Sequence, residues 1–222
     1  MSAFLDSVKA RAKADKKTIV LPESMDRRTF EAAAVVLKEG LADLIILGTP
    51  AEVEANSQGL DVAGAVYIDP NASEKTEAYV QQLYEMRKAK GMTPEQAREL
   101  LTKDYMYFAC MMVKNGEADG VVSGACHSTA NTLRPSLQII KTAPGTKLVS
   151  SFFVMVVPDC DMGENGVFVF ADCGLNQNPN PEELACIAGS SAASFKELVG
   201  AEPRVAMLSH SSKGSAKHAD VD

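Results

Sequence analysis

The sequence predicts an α/β fold built on a parallel sheet and divided into two modules. A β-type run at Thr18–Leu21 is followed by a helix that Asp26 can cap and Gly40 can end, and then by a second apolar run, Asp43–Leu47. Strand, helix, strand is the unit from which parallel sheets are assembled. Asp119–Ser123 (DGVVS) repeats the buried-strand pattern and empties into a polar turn and a helix, the position where open α/β sheets place ligands. Past Thr142–Gly145, which reads as a linker, the pattern turns to a long β-type run and a hairpin. The expected division is residues 1–145 as a first α/β domain and 146–222 as the N-terminal part of a second, incomplete one.

In chain order, Ala3–Ala14 reads as a helix, and Pro22 stops the first strand. The helix that runs to Lys38 sets Phe30, Ala33, Ala34 and Leu37 on one face. Pro50–Asn56 reads as a short helix, Ala65–Ile68 as a strand, and Ser73–Lys90 as a long helix that Gly91 stops. Thr93, Pro94 and Gln96 supply an N-cap, a proline at the first helical position and a capping-box partner for a helix to Lys103. The next helix, Tyr105–Lys114, carries Met106, Cys110 and Val113 on one side and stops before Gly116. A further helix is expected across Thr132–Lys141.

In the second module Lys147–Val157 and Val167–Phe170, joined through Gly163-Glu164-Asn165-Gly166, read as hairpin partners. Asn180-Pro181-Glu182-Glu183 caps a helix to Val199, Arg204–Leu208 reads as a strand, and Ser209–Ser215 as a polar turn leading into another helix. These elements are too few to cover a sheet on both faces, so the module is expected to be completed by another chain or by further sequence.

Composition narrows the function classes. Of the 222 residues, 46% are apolar and 23% charged, which excludes disordered, collagen-like and coiled-coil descriptions. A net charge of −7 has the wrong sign for broad capture of nucleic acid or an anionic membrane, so neither partner is expected and any anionic ligand needs a local basic site. The charged N-terminus lacks a secretory apolar core, and Phe152–Val157 is too short to span a bilayer, so a cytoplasmic location is expected. Cysteines 110, 126, 160, 173 and 186 form no CxxC pair, and His127, His210 and His218 lack zinc spacing. No metal is expected, and the thiols read as packed, reduced side chains.

Ser123–Pro135 is the segment richest in chemistry. A strand end, Gly124, the hydroxyls of Ser128, Thr129 and Thr132, and Arg134 early in a helix suit an anion pocket; an ordinary βα loop with capping hydroxyls would share the same composition. Leu208–Ser215 repeats the theme with Ser211, Ser212, Lys213, Gly214 and Ser215, without the residue order of a Walker loop. Two such turns, one per module, suggest a cleft holding a phosphate-bearing ligand. Neither Cys126-His127 nor His210-Ser211 makes a credible nucleophilic dyad, because neighbours on an extended segment face opposite ways. Arg87-Lys88-Ala89-Lys90 could grip a remote phosphate or serve as cations at a helix C-terminus. The methionines around Tyr105–Met112 read as core.

Thr18–Pro22 with Glu23 and Arg28-Thr29, Ala118–Ser123, Thr132–Lys141 (TLRPSLQIIK), Gly166–Cys173 (GVFVFADC) with Asn178-Pro179, and Leu208–Ser215 occur in an order that resembles the phosphate acetyl/butyryl transferase family. The resemblance implies a two-domain, parallel-sheet architecture of the isocitrate/isopropylmalate dehydrogenase-like type with the active site in the interdomain cleft. It implies phosphate acetyltransferase chemistry: reversible acetyl transfer between acetyl phosphate and coenzyme A by direct thiolate attack in a ternary complex. Coenzyme A is then a substrate, no cofactor is permanently bound, and the enzyme is a homodimer. Arg134 corresponds to the arginine beside acetyl phosphate, Ser128, Thr129 and Thr132 line its pocket, Arg87 meets a coenzyme A phosphate, and Ser211, Ser212, Lys213, Gly214 and Ser215 form the second wall. The family's catalytic base is a C-terminal aspartate that this sequence does not reach, so the 222-residue chain alone is expected to be inactive or poorly folded in its second module. Asn131, and Gly174-Leu175-Asn176-Gln177 after FADC, depart from the commoner family pattern. A phosphate butyryltransferase and a non-catalytic acyl-phosphate or coenzyme A-binding module are the alternatives.

Overall fold

The computed structural model describes residues 3–209, 211, 214, 215 and 217. Its contacts separate two compact units, Lys9–Lys141 and Met1–Val8 with Thr142–Asp222.

The first unit is a four-stranded parallel sheet in the order β3-β2-β1-β4, formed by β1 (Thr18–Leu21), β2 (Asp43–Leu47), β3 (Val66–Ile68) and β4 (Gly120–Val121). Thr18 pairs with Asp43, Ile45 with Val66 and Ile19 with Gly120. Because β1 has β2 on one side and β4 on the other, the strand order reverses between β1 and β4, and the turns leaving these two strands come together.

Side chains alternate across the sheet, and both faces are covered. Val20, Ile45 and Leu47 join a core with Tyr79, Leu83, Leu101, Phe108, Met111 and Ile139. Leu21, Leu44 and Ile46 pack on the opposite face with Phe30, Ala33 and Val62. Covering on both faces is why β1 and β2 read as unbroken apolar runs rather than alternating ones.

Helix boundaries follow their caps. Helix α1 is Ala3–Ala14. Helix α2 (Arg27–Glu39) begins where the Asp26 side chain accepts from the Arg28 N–H, and ends at Gly40 in the left-handed region. Helices α3 (Pro50–Ser57) and α5 (Pro94–Lys103) each start on a full capping box, Thr49 with Glu52 and Thr93 with Gln96. Helix α4 is Thr76–Arg87, shorter than expected at its start, and its end tightens into a 3₁₀ turn at Lys88–Lys90 before Gly91. Helix α6 (Tyr105–Lys114) buries every residue from Tyr105 to Met112, so it is wrapped all round instead of presenting one apolar side.

Two boundaries near the site differ from expectation. Only Gly120–Val121 of the Asp119–Ser123 run pairs as strand, since β4 is an edge strand with β1 as its partner. The helix expected over Thr132–Lys141 begins earlier, as α7 (Thr129–Pro135), and continues as a π turn at Ser136–Ile140, where the Lys141 N–H donates to the Ser136 carbonyl. Pro135 inside this helix has no N–H for the regular ladder, which favours such a local widening.

The second unit contains the antiparallel pair β5 (Phe152–Val156) and β6 (Val167–Ala171), with Phe153 opposite Phe170. Helix α8 (Pro181–Val199) starts on the Asn180–Glu183 capping box, ends at Gly200 and packs on β6. The expected strand Arg204–Leu208 is irregular: it has no ladder partner among the described residues, and Leu208 is 93% exposed. The helix expected after Ser215 lies outside the described residues.

Candidate functional site

At the reversal point the turn after β1 delivers Glu23, only 3% exposed, to the turn after β4. Its Oε2 accepts from the N–H groups of Gly124 (3.0 Å) and Ala125 (2.9 Å), and its Oε1 from those of Cys126 (2.9 Å) and His127 (2.8 Å). Four successive amides converging on one point form an anion-binding nest. Gly124 enters it at φ +117°, a conformation that L side chains rarely adopt. The anion in this nest is the protein's own carboxylate.

Burial by itself would raise the Glu23 pKa, but the donated hydrogen bonds from Cys126, His127 and Ala125 outweigh it and hold the carboxyl at about 2, against an ordinary 4.5. A folded-state value below the unfolded one means that the carboxylate contributes stability above pH 4.5 and that this contribution is lost as the pH falls toward about 2. The stability gap between the unmodified chain and Glu23→Gln, measured by urea unfolding, is therefore expected to hold from neutrality to about pH 4.5 and to narrow as the pH is lowered from 4.5 toward 2. A gap that stays constant over that range would contradict it.

The turn is tied on three sides. His127 Nδ1 lies 2.8 Å from Glu23 Oε1, and its Nε2 lies 3.4 Å from Oδ1 of Asp104, whose side chain also caps α6. Arg28, paired with Asp26, donates to the Ala125 carbonyl at 2.5 Å. Glu23, Cys126 and His127 place their ligand atoms within 4.8 Å of one another, the spacing of a metal site. Its chemistry is that of a hydrogen-bonded cluster. The carboxylate already accepts four amides, and burial followed by the neighbouring Glu23 pushes the Cys126 thiol up to about 11, so a thiolate ligand is disfavoured.

Beyond the nest, Ser128 caps α7 by accepting from the Asn131 N–H, and Thr129, Thr132 and Arg134 follow on the helix. Arg134 is exposed; Arg87, the last residue of α4, is half-buried, with an Nε that has no hydrogen-bond partner. Neither forms an ion pair among the described residues. Both act on the Tyr107 phenol: burial and Asp104 raise its pKa, while Arg134 and Arg87 pull it down. Arg134 and Arg87 thus both lie within electrostatic range of one phenol of the first unit. Tyr107, which also donates to Gln138 Oε1 at 3.4 Å, carried no signal in the sequence because it reads as one more apolar position of α6.

In the second unit, the buried Ser211 places its Oγ 3.4 Å from Ser215 Oγ, and Gly214 adopts φ 75°. Ser212 and Lys213 lie outside the described residues. A second carboxylate nest is present here. Asp172 Oδ1 accepts from the amides of Gly174 (2.7 Å), Leu175 (2.6 Å) and Asn176 (3.3 Å), and Oδ2 from the Ser151 amide (3.1 Å) and Asn176 Nδ2 (2.7 Å). Burial would raise its pKa; the amide donors bring it well below the carboxylate range. Cys173 donates to Ser151 Oγ at 3.2 Å beside this hub. Asn176, one of the residues that depart from the commoner pattern, thereby gains a structural role.

The sequence profile described as phosphate acetyl/butaryl transferase matches residues 3–222. The chain belongs to the phosphate acetyl/butaryl transferase family. Within this family it is 57% identical over 220 residues to a phosphate acetyltransferase of Thermoanaerobacterium thermosaccharolyticum, covering 99% of this chain and 67% of the relative. It is 57% identical over 215 residues to one of Acetivibrio thermocellus, covering 97% and 64%. A crystal structure of a phosphotransacetylase from Streptococcus pyogenes superposes with a TM-score of 0.86 at 38% identity, over 100% of this chain and 66% of that one. The chain spans about two thirds of the length of these phosphate acetyl/butaryl transferase relatives.

Proposed function

We propose that this protein catalyses reversible acetyl transfer between acetyl phosphate and coenzyme A. The observation that carries the reading is the pair Arg134 and Arg87, both within electrostatic range of Tyr107 and outside any ion pair among the described residues, in a chain whose family relatives are phosphate acetyltransferases. Arg134 presents a planar fork to the phosphoryl group, and the hydroxyls of Ser128, Thr129 and Thr132 add neutral donors around it. Arg87 meets a phosphate of coenzyme A. In the transfer the coenzyme A sulfur forms a bond to the acetyl carbon, the carbon–oxygen bond to phosphate breaks, and phosphate leaves with the charge that Arg134 stabilises. The thiol proton passes to a base that we do not place among the residues above.

We further infer the two-domain isocitrate/isopropylmalate dehydrogenase-like arrangement, with the active site in the interdomain cleft and the Ser211–Ser215 turn as its second wall. Coenzyme A acts as a substrate and not as a resident cofactor, and the working enzyme is a cytoplasmic homodimer. The parallel sheet with its strand reversal, and the likeness to phosphotransacetylase structures, support this reading. The test is an assay of the native polypeptide for acetyl-CoA formed from acetyl phosphate and coenzyme A, with butyryl phosphate as the rival donor. Faster acetyl than butyryl transfer is expected. Binding of both substrates without turnover would overturn the enzyme reading in favour of a binding module.

A further inference from the structure

We propose that Glu23 is a positioning residue for phosphate recognition: by filling the Gly124–His127 nest it denies that nest to a substrate phosphate, and it fixes the start of α7 so that Arg134 and the helix hydroxyls carry the recognition. This rests on the acetyl-transfer reading of the same site.

The nest is saturated. Each Glu23 oxygen takes two amides at 2.8–3.0 Å, leaving no amide of the four directed at a ligand. The last nest residue, His127, directly precedes Ser128, the cap of α7, so the carboxylate sets where the helix begins and which way it points. The other end of this helical segment is anchored by the fully buried Ile139 of the π turn. Arg134 sits between those two anchors. The Arg28 bond to the Ala125 carbonyl and the His127–Asp104 approach brace the nest from the α2 and α6 sides. A side chain that collects four amides from the turn carrying the proposed phosphate residues, yet is itself 3% exposed, acts on the substrate through the geometry of that turn.

Glu23→Gln keeps the shape and removes half of the acceptors, because the carboxamide NH₂ then faces N–H donors. KM for acetyl phosphate is expected to rise about tenfold or more, with KM for coenzyme A within about twofold. The amides of 124–127 are expected to exchange about tenfold faster with solvent hydrogen. A fall in kcat alone, with both KM values unchanged, would reduce Glu23 to a general stability role and overturn the proposal. The unmodified protein supplies an independent readout. Titration with inorganic phosphate, followed by amide NMR, is expected to shift signals of 129–134 and to leave those of 124–127 in place; displacement of the latter would show phosphate entering the nest and overturn the proposal even if Glu23→Gln does not fold. Should the native polypeptide transfer no acetyl group, the functional reading fails, and the titration still decides what occupies the nest.

Discussion

In the native polypeptide, Arg134→Ala is expected to lower acetyl transfer by about 10²–10³-fold, the loss that follows removal of one fixed donor from a developing negative charge. The structure makes this a clean experiment. Arg134 is exposed on α7 and has no ion-pair partner among the described residues, so its removal orphans no buried charge. Thermal stability should therefore stay within about 0.5 kcal/mol, the usual range for such surface positions. Arg134→Lys should recover only part of the rate, since an ammonium keeps the charge but not the planar fork. Initial rates with acetyl phosphate, measured beside thermal unfolding, check both statements. Near-normal turnover of Arg134→Ala would remove this arginine from the site.

The largest stability effect is expected at Phe108. It is fully buried in α6, a helix wrapped on all sides, and its ring lies 5.0 Å from that of Tyr79 at a tilt of 59°. Phe108→Ala removes this contact and leaves a cavity between α6 and α4, at a cost of about 3–5 kcal/mol. Urea unfolding of the chain and the variant measures it. A cost below about 1 kcal/mol would mean that the surrounding methionines close the gap, since such flexible side chains can refill irregular space.

Much of the fold was legible in the sequence where local chemistry and tertiary packing agree. Asp26, Thr93 and Asn180 mark helix starts with side chains that also cap them in the structure, and β1 and β2 read as strands because both their faces are covered. Arg204–Leu208 misled because its β-branched and apolar residues carry strand propensity, while the decisive factor, a neighbouring strand, is not a local property. Of the site, the residue pattern drew attention to Arg134, Arg87 and the hydroxyls of Ser128, Thr129 and Thr132, and the resemblance gave each its expected role. Glu23 was visible as a letter after Pro22 but not as an anion holder, because its donors are main-chain amides that leave no trace in residue identity. Cys126 and His127, weighed as a nucleophilic pair, instead both turn to the Glu23 carboxylate.

The two carboxylate nests also bear on how an acidic chain can receive anions. Glu23 and Asp172 are held as anions chiefly by peptide dipoles, with no guanidinium or ammonium group paired to them among the described residues. Such dipoles add no net charge, so both carboxylates still count in the −7 total. Seen from far away the molecule repels phosphate. Close to α7 an arginine without an ion-pair partner among the described residues offers a local positive charge. Recognition of an anionic substrate by this surface is thus a short-range event, governed by contact and geometry more than by long-range steering.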